Sequence, residues 1–426
     1  MAWRALIALV VFVSPALAAP APVLVVPLEG AIGPASADFV NRTLERAARD
    51  KALLVVLRID TPGGLDTSMR EIIKHILASP VPVAAWVAPG GARAASAGTF
   101  ILYASHFAAM APGTNLGAAS PVSIMPSAPE KDDKKEKAGG ADTMMKKVTH
   151  DAAAYIRSLA QMRGRNADWG ERAVREAVSL PAEEAAKLKV IDFVAHDLKD
   201  LLGKIDRKAK LETSAAPIVE VEVDWRTRLL AVITNPSIAY LLVLVGAYAL
   251  IFEFMNPGLV LPGVVGTIAL LVALYALHLL PVNYAGLALI ALGIGFMAAE
   301  AFFPAYGSLG IGGLAAFVLG SIILIDTDLP GFEIPYTLIG GVAAASAGFL
   351  VFVVGLLLRV RRRPVVSGRE QMIGAAGEAL EDFEGEGWAR VHGESWRVSA
   401  GGPVRRGERL RVIAMAGLVL TVEVVR

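Results

Sequence analysis

The stretch GGARAASAGTFILYAS, residues 90–105, decides the fold because it joins an apolar strand to an apolar helix. A single internal serine, Ser96, lies at this junction. Ala95 and Ala97 flank this serine, and their small side chains leave its hydroxyl group accessible. Small side chains let neighbouring elements pack closely, but a nucleophile also needs an open position at a sharp turn beside backbone amides. The stretch by itself is therefore consistent with a packing contact or with a catalytic serine.

Apolar strands alternate with amphipathic helices on both sides of this stretch. Strands that are separated by helices pair in parallel, with the helices crossing over the sheet. We therefore predict an α/β domain over residues 20–225. The strand-like runs are PVLVVPL at 22–28, ALLVVLRID at 52–60 and VPVAAWVA at 81–88, and the helical runs between them are SADFVNRTLERAARD at 36–50 and LDTSMREIIKHILAS at 65–79.

The segment from Pro121 to Asp142 interrupts this pattern. It is charged, contains proline and glycine, and has no apolar face. Such a composition predicts a mobile, solvated loop, with a lid over a neighbouring site as the alternative.

The first residues have the three parts of a secretory signal. Arg4 precedes an apolar run, and Ala16-Leu17-Ala18 supplies the small residues of a cleavage site. The apolar run is short for a membrane span, which favours cleavage near Ala18 over an uncleaved anchor. We predict a signal peptide at residues 1–19 and export of the domain that follows.

The composition requires a membrane region, because 55% of the residues are hydrophobic, only 19% are charged and the mean hydropathy is +0.54. We predict this region at residues 226–363. The basic cluster RVRRRP at 359–364 follows its last span, and the positive-inside rule assigns that end to the cytoplasm. Five crossings of the inner membrane are consistent with this orientation, because an odd number puts the exported domain and the cytoplasmic tail on opposite sides. The predicted spans are 237–254, 262–280, 285–303, 310–325 and 337–358.

Two carboxylates, Glu253 and Glu300, stand near the ends of predicted spans. An acidic side chain inside a membrane is a candidate for ion transport, but these positions favour an interfacial role.

Residues 364–426 alternate short strands with turns and predict a five-stranded β-barrel of the OB type. Trp388 and Trp396 are more typical of a barrel core than of base-stacking platforms. Acidic and basic residues are balanced in this tail, so we expect no nucleic acid as a partner.

The chain has no cysteine, a net charge of +1, and neither a metal-ligand cluster in the exported domain nor a nucleotide-binding motif. Thiol catalysis is excluded, and we expect no metal and no cofactor. The hydroxyl of Ser96 remains the leading nucleophile.

Two backbone amides are candidates to stabilise an oxyanion beside Ser96. Ala97 begins the predicted helix, where the first N–H groups are free and the helix dipole favours negative charge. Gly64 follows the second strand within IDTPGGLDTS, residues 59–68. Because parallel strands end at a common edge, we expect Gly64 and Ser96 to meet there.

Taken together, these motifs resemble the long form of the NfeD family of membrane-bound serine proteases, in the ClpP/crotonase superfamily. The resemblance covers nearly the whole chain and implies a ClpP/crotonase-like exported domain, a multi-span α-helical membrane bundle and an OB-type C-terminal barrel. Its most specific segments are RIDTPGG at 58–64, ARAASAGTFI at 92–101, MAPGTNLGAASPV at 110–122 and AYIRSLAQMRGRN at 154–166.

The resemblance implies a Ser-Lys dyad of Ser96 and Lys147, with Lys146 as the alternative base. ClpP-like enzymes use a histidine, but residues 116–119 contain none, and His106 precedes its strand at the wrong end. The residues alone favour a solvated pair, Lys146 and Lys147, at the end of the charged loop, and it is the resemblance that favours a base. A lysine base must be uncharged, which burial in an apolar pocket under Met144 or Met145 would favour.

The resemblance further implies a serine endopeptidase that cuts apolar segments of stomatin-like membrane proteins and forms a homodimer or larger homo-oligomer. Three other functions remain open: a non-catalytic membrane scaffold that retains a protease-like domain, an acyl-CoA enzyme of the crotonase type, and a transporter.

Overall fold

The structure, a computed structural model, describes residues 21–121, 138–303, 307–325, 332–361 and 369–425. The predicted signal peptide at residues 1–19 and most of the predicted charged loop lie outside these ranges. The chain divides into two compact units, residues 1–348 and 349–426, which we describe separately.

The α/β part of the first unit is built around a parallel sheet. Its strand order is β8-β5-β3-β2-β1-β9, and every neighbouring pair is parallel. A second, small sheet has the order β4-β6-β7. In chain order the strands are β1 (Val23–Glu29), β2 (Leu54–Asp60), β3 (Val83–Val87), β4 (Arg93–Ala95), β5 (Phe107–Met110), β6 (Asn115–Gly117), β7 (Ser179–Pro181), β8 (Phe193–Val194) and β9 (Ile218–Glu220).

Helices cover both faces of the large sheet, which is why its central strands are continuous apolar runs and not alternating ones. One face packs on α1, α2, α3 and α4, and the other packs mainly on α7. The helix α4 begins before the end of the predicted loop at Asp142, so that boundary was wrong. The helices are α1 (Pro34–Arg49), α2 (Asp66–Ala78), α3 (Ala97–Ala104), α4 (Ala138–Arg163), α5 (Ala167–Arg175), α6 (Ala182–Lys187), α7 (Leu198–Ala209) and α8 (Trp225–Ile233).

A buried ion pair joins the end of α4 to the large sheet. The Arg165 side chain is only 2% exposed, and its Nη2 donates to Asp192 Oδ2 at 2.9 Å. Its Nη1 also donates to the carbonyl groups of Leu102, Tyr103 and Ser105 at the end of α3. A single guanidinium therefore connects α3 and α4 to the loop before β8.

We expect Arg165→Met to lower the free energy of unfolding of the domain by about 3–5 kcal/mol, because Asp192 would lose its buried partner and keep only the half-exposed Lys208, and the three carbonyl groups at the end of α3 would lose a donor. The exposed pair Arg172–Glu176 provides the control, and Arg172→Ala is expected to change stability by less than about 0.5 kcal/mol. Thermal unfolding of the full chain in detergent measures both effects. Equal midpoints for the two variants would contradict the structural role given to Arg165.

The membrane region is a bundle of apolar helices that run close to the predicted spans. Two of them, α9 and α10, are long and apolar enough to cross a membrane, and the apolar parts of the other three are shorter. The helices are α9 (Pro236–Met255), α10 (Leu261–Leu279), α11 (Tyr284–Phe302), α12 (Ser308–Leu324) and α13 (Tyr336–Arg361).

The bundle contains two similar helical hairpins, α9–α10 and α11–α12. In each hairpin, one glycine from each helix lets the two backbones approach closely. The first helix of each hairpin also carries a glutamate near its end, and this glutamate follows the helix's glycine by the same number of residues in both. A methyl group at Gly313 would lie only 2.7 Å from the Gly293 carbonyl oxygen. The corresponding residues are Gly246 and Gly293, Glu253 and Glu300, and Gly266 and Gly313.

The two glutamates cap the second helix of each hairpin. Glu300 is buried and accepts hydrogen bonds from the N–H groups of Gly307, Leu309 and Gly310 at 2.9–3.2 Å. Glu253 likewise accepts from Val260 N–H at 3.0 Å. A helix N-terminus has unsatisfied N–H groups that a carboxylate can satisfy. These contacts give both residues a structural role at helix ends.

The second unit ends in a closed five-stranded barrel of the OB type, with strand order β10-β11-β12-β14-β13. Trp396 packs against the barrel core, as predicted, whereas Trp388 is 48% exposed and does not belong to it. The barrel follows the short helix α14 (Arg369–Met372), and its strands are β10 (Ala376–Ala379), β11 (Phe383–Val391), β12 (Glu394–Val404), β13 (Arg409–Ala416) and β14 (Val419–Val424).

Candidate active site

Ser96 lies at the junction of β4 and α3, in a strained backbone conformation. Its φ of 50° and ψ of −115° are rare for a residue with a side chain, and such strain is typical of functional turns. The Ser96 N–H donates to the carbonyl of Gly117 on β6 at 3.0 Å, which holds the turn. Among the described residues, none forms a hydrogen bond with the Ser96 hydroxyl group, which is half-buried.

The loop after β2 lies directly against this serine. A methyl group on Gly63 would be 2.7 Å from the Ser96 Cβ and 3.2 Å from its Oγ, so only glycine leaves room for the serine side chain. Gly63 also has a φ of +123°, which favours glycine. From the sequence we predicted a role for Gly64 and missed Gly63, although the two adjacent glycines already indicated a close approach of the backbone at both positions.

The amides of Gly64 and Ala97 are the two predicted oxyanion donors. The Ile32 N–H donates to Gly63 O and the Leu65 N–H donates to Ile32 O, both at 2.8 Å. The N–H of Gly64, which lies between Gly63 and Leu65, has no backbone partner in the described chain. Ala97 is the first residue of α3, where the helix provides no acceptor for the N–H. Gly64, Ser96 and Ala97 all line one cavity.

This cavity has a volume of about 920 Å³ and is open to solvent on one side. Its floor is the Ser96 turn, and apolar side chains such as Met69 and Phe100 line it beside polar groups from α2 and α4. The cavity is large enough for several residues of an extended peptide.

Lys147 lines the same cavity from α4. Two contacts hold α4 in this position: Arg70 of α2 donates to Asp151, one turn beyond Lys147, at 2.5 Å, and Tyr155 stacks on Phe100 of α3 at 6.0 Å. The side chain of Lys147 is exposed. The described residues do not form the predicted apolar cover, since Lys147 is exposed and Met144 is 53% exposed.

The histidines of the α/β part do not provide a base at this site. His106 lies at the amino end of β5, where its Nδ1 accepts a hydrogen bond from Val83 N–H at 3.2 Å. Burial, with the charges of Arg163 and Arg165, lowers the pKa of His106 to about 4, so the ring is neutral at pH 7. His75, His150 and His196 are absent from the cavity lining.

The described residues contain no group of three or more His, Asp or Glu side chains that could hold a metal ion. The cavity lining brings together the Ser96 hydroxyl group, the Lys147 amine and the backbone of Gly64 and Ala97.

We expect Gly64→Ala to lower kcat by about 10²–10³-fold, which is the usual effect of losing one oxyanion donor. An added methyl group would collide with the backbone of Ile32, so the loop must move and carry the amide away. Gly203→Ala on α7 is the control, because its methyl group would meet only an ordinary contact at 4.0 Å. Kinetics and thermal unfolding of both full-length variants would test this, and an unchanged kcat in Gly64→Ala would exclude Gly64 as a donor.

Three segments of the chain match known protein families. Residues 22–214 match the N-terminal domain of NfeD1b, residues 237–356 match the NfeD integral membrane domain, and residues 369–423 match the NfeD-like C-terminal, partner-binding domain.

Two relatives are similar along almost their whole length. The membrane-bound protease PH1510 of Pyrococcus horikoshii is 35% identical, with 94% of this chain and 92% of the relative covered. The membrane protein NfeD1b of Bacillus subtilis is 25% identical, with 93% and 91% covered. A solved structure, described as a 1510-N membrane protease specific for a stomatin homolog from Pyrococcus horikoshii, is 32% identical and covers 51% of this chain and 100% of its own, with a TM-score of 0.40.

Proposed function

The chain belongs to the NfeD family, and on that premise we propose that it is a membrane-anchored serine endopeptidase with Ser96 as the nucleophile and Lys147 as the base. One observation carries the proposal: Ser96, strained at a helix N-terminus and with no hydrogen bond to its hydroxyl group among the described residues, lines the same cavity as Lys147.

The reaction begins when Ser96 Oγ attacks the carbonyl carbon of the scissile peptide bond. The hydroxyl proton passes to the neutral amine of Lys147, and the carbonyl oxygen becomes an oxyanion that accepts hydrogen bonds from Gly64 N–H and Ala97 N–H. Collapse of this intermediate breaks the C–N bond, and the leaving amine takes the proton from the Lys147 ammonium. Water, deprotonated by the Lys147 amine, then attacks the acyl-serine. The ester bond breaks, and Lys147 returns the proton to Ser96 Oγ, which restores both residues.

The exposed position of Lys147 assigns a second role to the substrate. Only the neutral form of an amine can accept a proton, and desolvation favours that form. A peptide that fills the cavity removes water from around Lys147 and supplies the cover that Met144 does not provide. Substrate binding would then activate the base.

We propose apolar segments of membrane-associated proteins, stomatin-like proteins in particular, as the substrates. The stomatin class follows from the family resemblance, and the mainly apolar cavity agrees with it. As in the sequence analysis, we propose five crossings of the inner membrane, the protease domain outside the cytoplasm, the barrel inside it, and a homodimer or larger homo-oligomer.

A non-catalytic scaffold is the second candidate. The solvent exposure of Lys147 favours it. A scaffold would bind its partner and leave it intact.

Incubation of the full chain with a stomatin-like partner in the same vesicles separates the two functions. The protease produces fragments with new termini within an apolar segment, and mass spectrometry identifies them. Stable association with an uncut partner would support the scaffold.

A further inference from the structure

The far wall of the cavity comes from the membrane bundle. Tyr275, His278 and Leu279 lie in the last turns of α10, and Leu280 and Pro281 follow that helix; all five line the cavity that contains Ser96. Residues of the protease domain and of the bundle therefore line the same cavity. The sequence did not predict this shared lining. An isolated protease domain would lack this wall.

The end of α10 has two faces with different environments. One face is buried: Ala273, Ala276 and Leu277 are 0%, 0% and 4% exposed and belong to the apolar core of the bundle. The other face is turned to the cavity, where Tyr275 is 54% exposed and His278 is also exposed. A buried face fixes the position of a helix, and an exposed face in a cavity is available to a ligand.

Leu65 fixes this wall relative to the site. It directly follows Gly64, it is 4% exposed, and it belongs to the same apolar cluster as Leu277 and Leu280. Its N–H donates to Ile32 O at 2.8 Å, which holds the loop that carries Gly64. The chain segment with the proposed oxyanion donor is thus anchored in the core that supports the end of α10.

We propose that the cavity face of α10, formed by Tyr275, His278 and Leu279, recognises the substrate peptide and makes the membrane bundle a determinant of specificity. This inference rests on the proposed function of the Ser96 site. Leu279 contacts an apolar side chain, and the Tyr275 hydroxyl and the His278 ring supply hydrogen bonds to the backbone of an extended peptide. The wall therefore selects an extended apolar segment that lies next to the membrane.

The test measures binding separately from cleavage. Full-length protein with Ser96→Ala, in nanodiscs, is titrated against a fluorescent peptide with a central Val/Ile/Leu segment, and anisotropy gives Kd. We expect Tyr275→Ala combined with His278→Ala to raise Kd about tenfold or more, as the loss of two anchoring side chains does. Leu274→Ala is the matched control, since Leu274 is exposed on α10 but absent from the cavity lining, and it should leave Kd unchanged.

A peptide with aspartates in its central segment completes the design. We expect it to bind weakly to the parent protein and to show little further loss with the double variant. An unchanged Kd for the apolar peptide in the double variant, or equal losses in that variant and in Leu274→Ala, would overturn the proposal. Because the Ser96→Ala background cannot cleave, either result leaves the proposed protease function standing, and only cleavage by the wild-type chain tests that function.

Discussion

Replacing Ser96 with alanine is expected to lower the rate of peptide cleavage by about 10⁴-fold or more, because no other group in the mechanism can form the acyl intermediate. The fold should survive, since alanine has the same Cβ and the Ser96 hydroxyl forms no hydrogen bond among the described residues. Cleavage of an apolar peptide by the purified full chain, followed by mass spectrometry, measures the effect.

The control for this variant is Ser158→Ala. Ser158 is exposed on α4 and does not line the cavity, so its loss should leave the cleavage rate unchanged. If Ser96→Ala protein cleaves at the wild-type rate, the hydrolase account of this cavity is wrong.

Replacing Lys147 with alanine is expected to lower kcat by about 10²–10⁴-fold with little change in KM, which is the range expected for a general base. The amine takes part in proton transfer and not in holding the peptide. Lys147→Arg should be equally inactive, because a guanidinium keeps its proton and cannot act as a base.

Lys146→Ala is the matched control, since Lys146 neighbours Lys147 on α4 but is absent from the cavity lining. It should retain wild-type kcat. Full activity in Lys147→Ala with Lys146 intact would reject Lys147 as the base, and loss of activity in Lys146→Ala alone would transfer the role to its neighbour.

The architecture could be predicted from the sequence where periodicity was strong. The apolar runs that became β1, β2 and β3, and the five apolar helices of the membrane region, followed directly from patterning. The small sheet was missed, because β4, β6 and β7 have three residues each and are too short for a pattern. The start of α4 was also missed, since Ala138-Gly139-Gly140 has weak helix propensity and no cap signal.

Part of the candidate site was predictable for the same reason. Gly64 follows β2 of the large sheet and Ser96 follows β4 of the small sheet, and both line one cavity. A bridge between Thr61 and Ala94 brings the two chain segments together, in place of the shared sheet edge that the sequence predicted. The contact of Gly63 with Ser96 and the wall formed by Tyr275 and His278 depend on tertiary packing between segments far apart in the chain. No local pattern encodes such contacts. The exposure of Lys147 likewise depends on what covers α4 in three dimensions.

The most direct test of the account is covalent labelling of the full chain by a fluorophosphonate, which reacts only with an activated serine hydroxyl. We predict a single adduct on Ser96, located by peptide mass spectrometry, with labelling slowed in Lys147→Ala and in Gly64→Ala. A natively folded full chain that gives no adduct on Ser96, or one whose adduct lies on another serine, would contradict the assignment of Ser96 as an activated nucleophile.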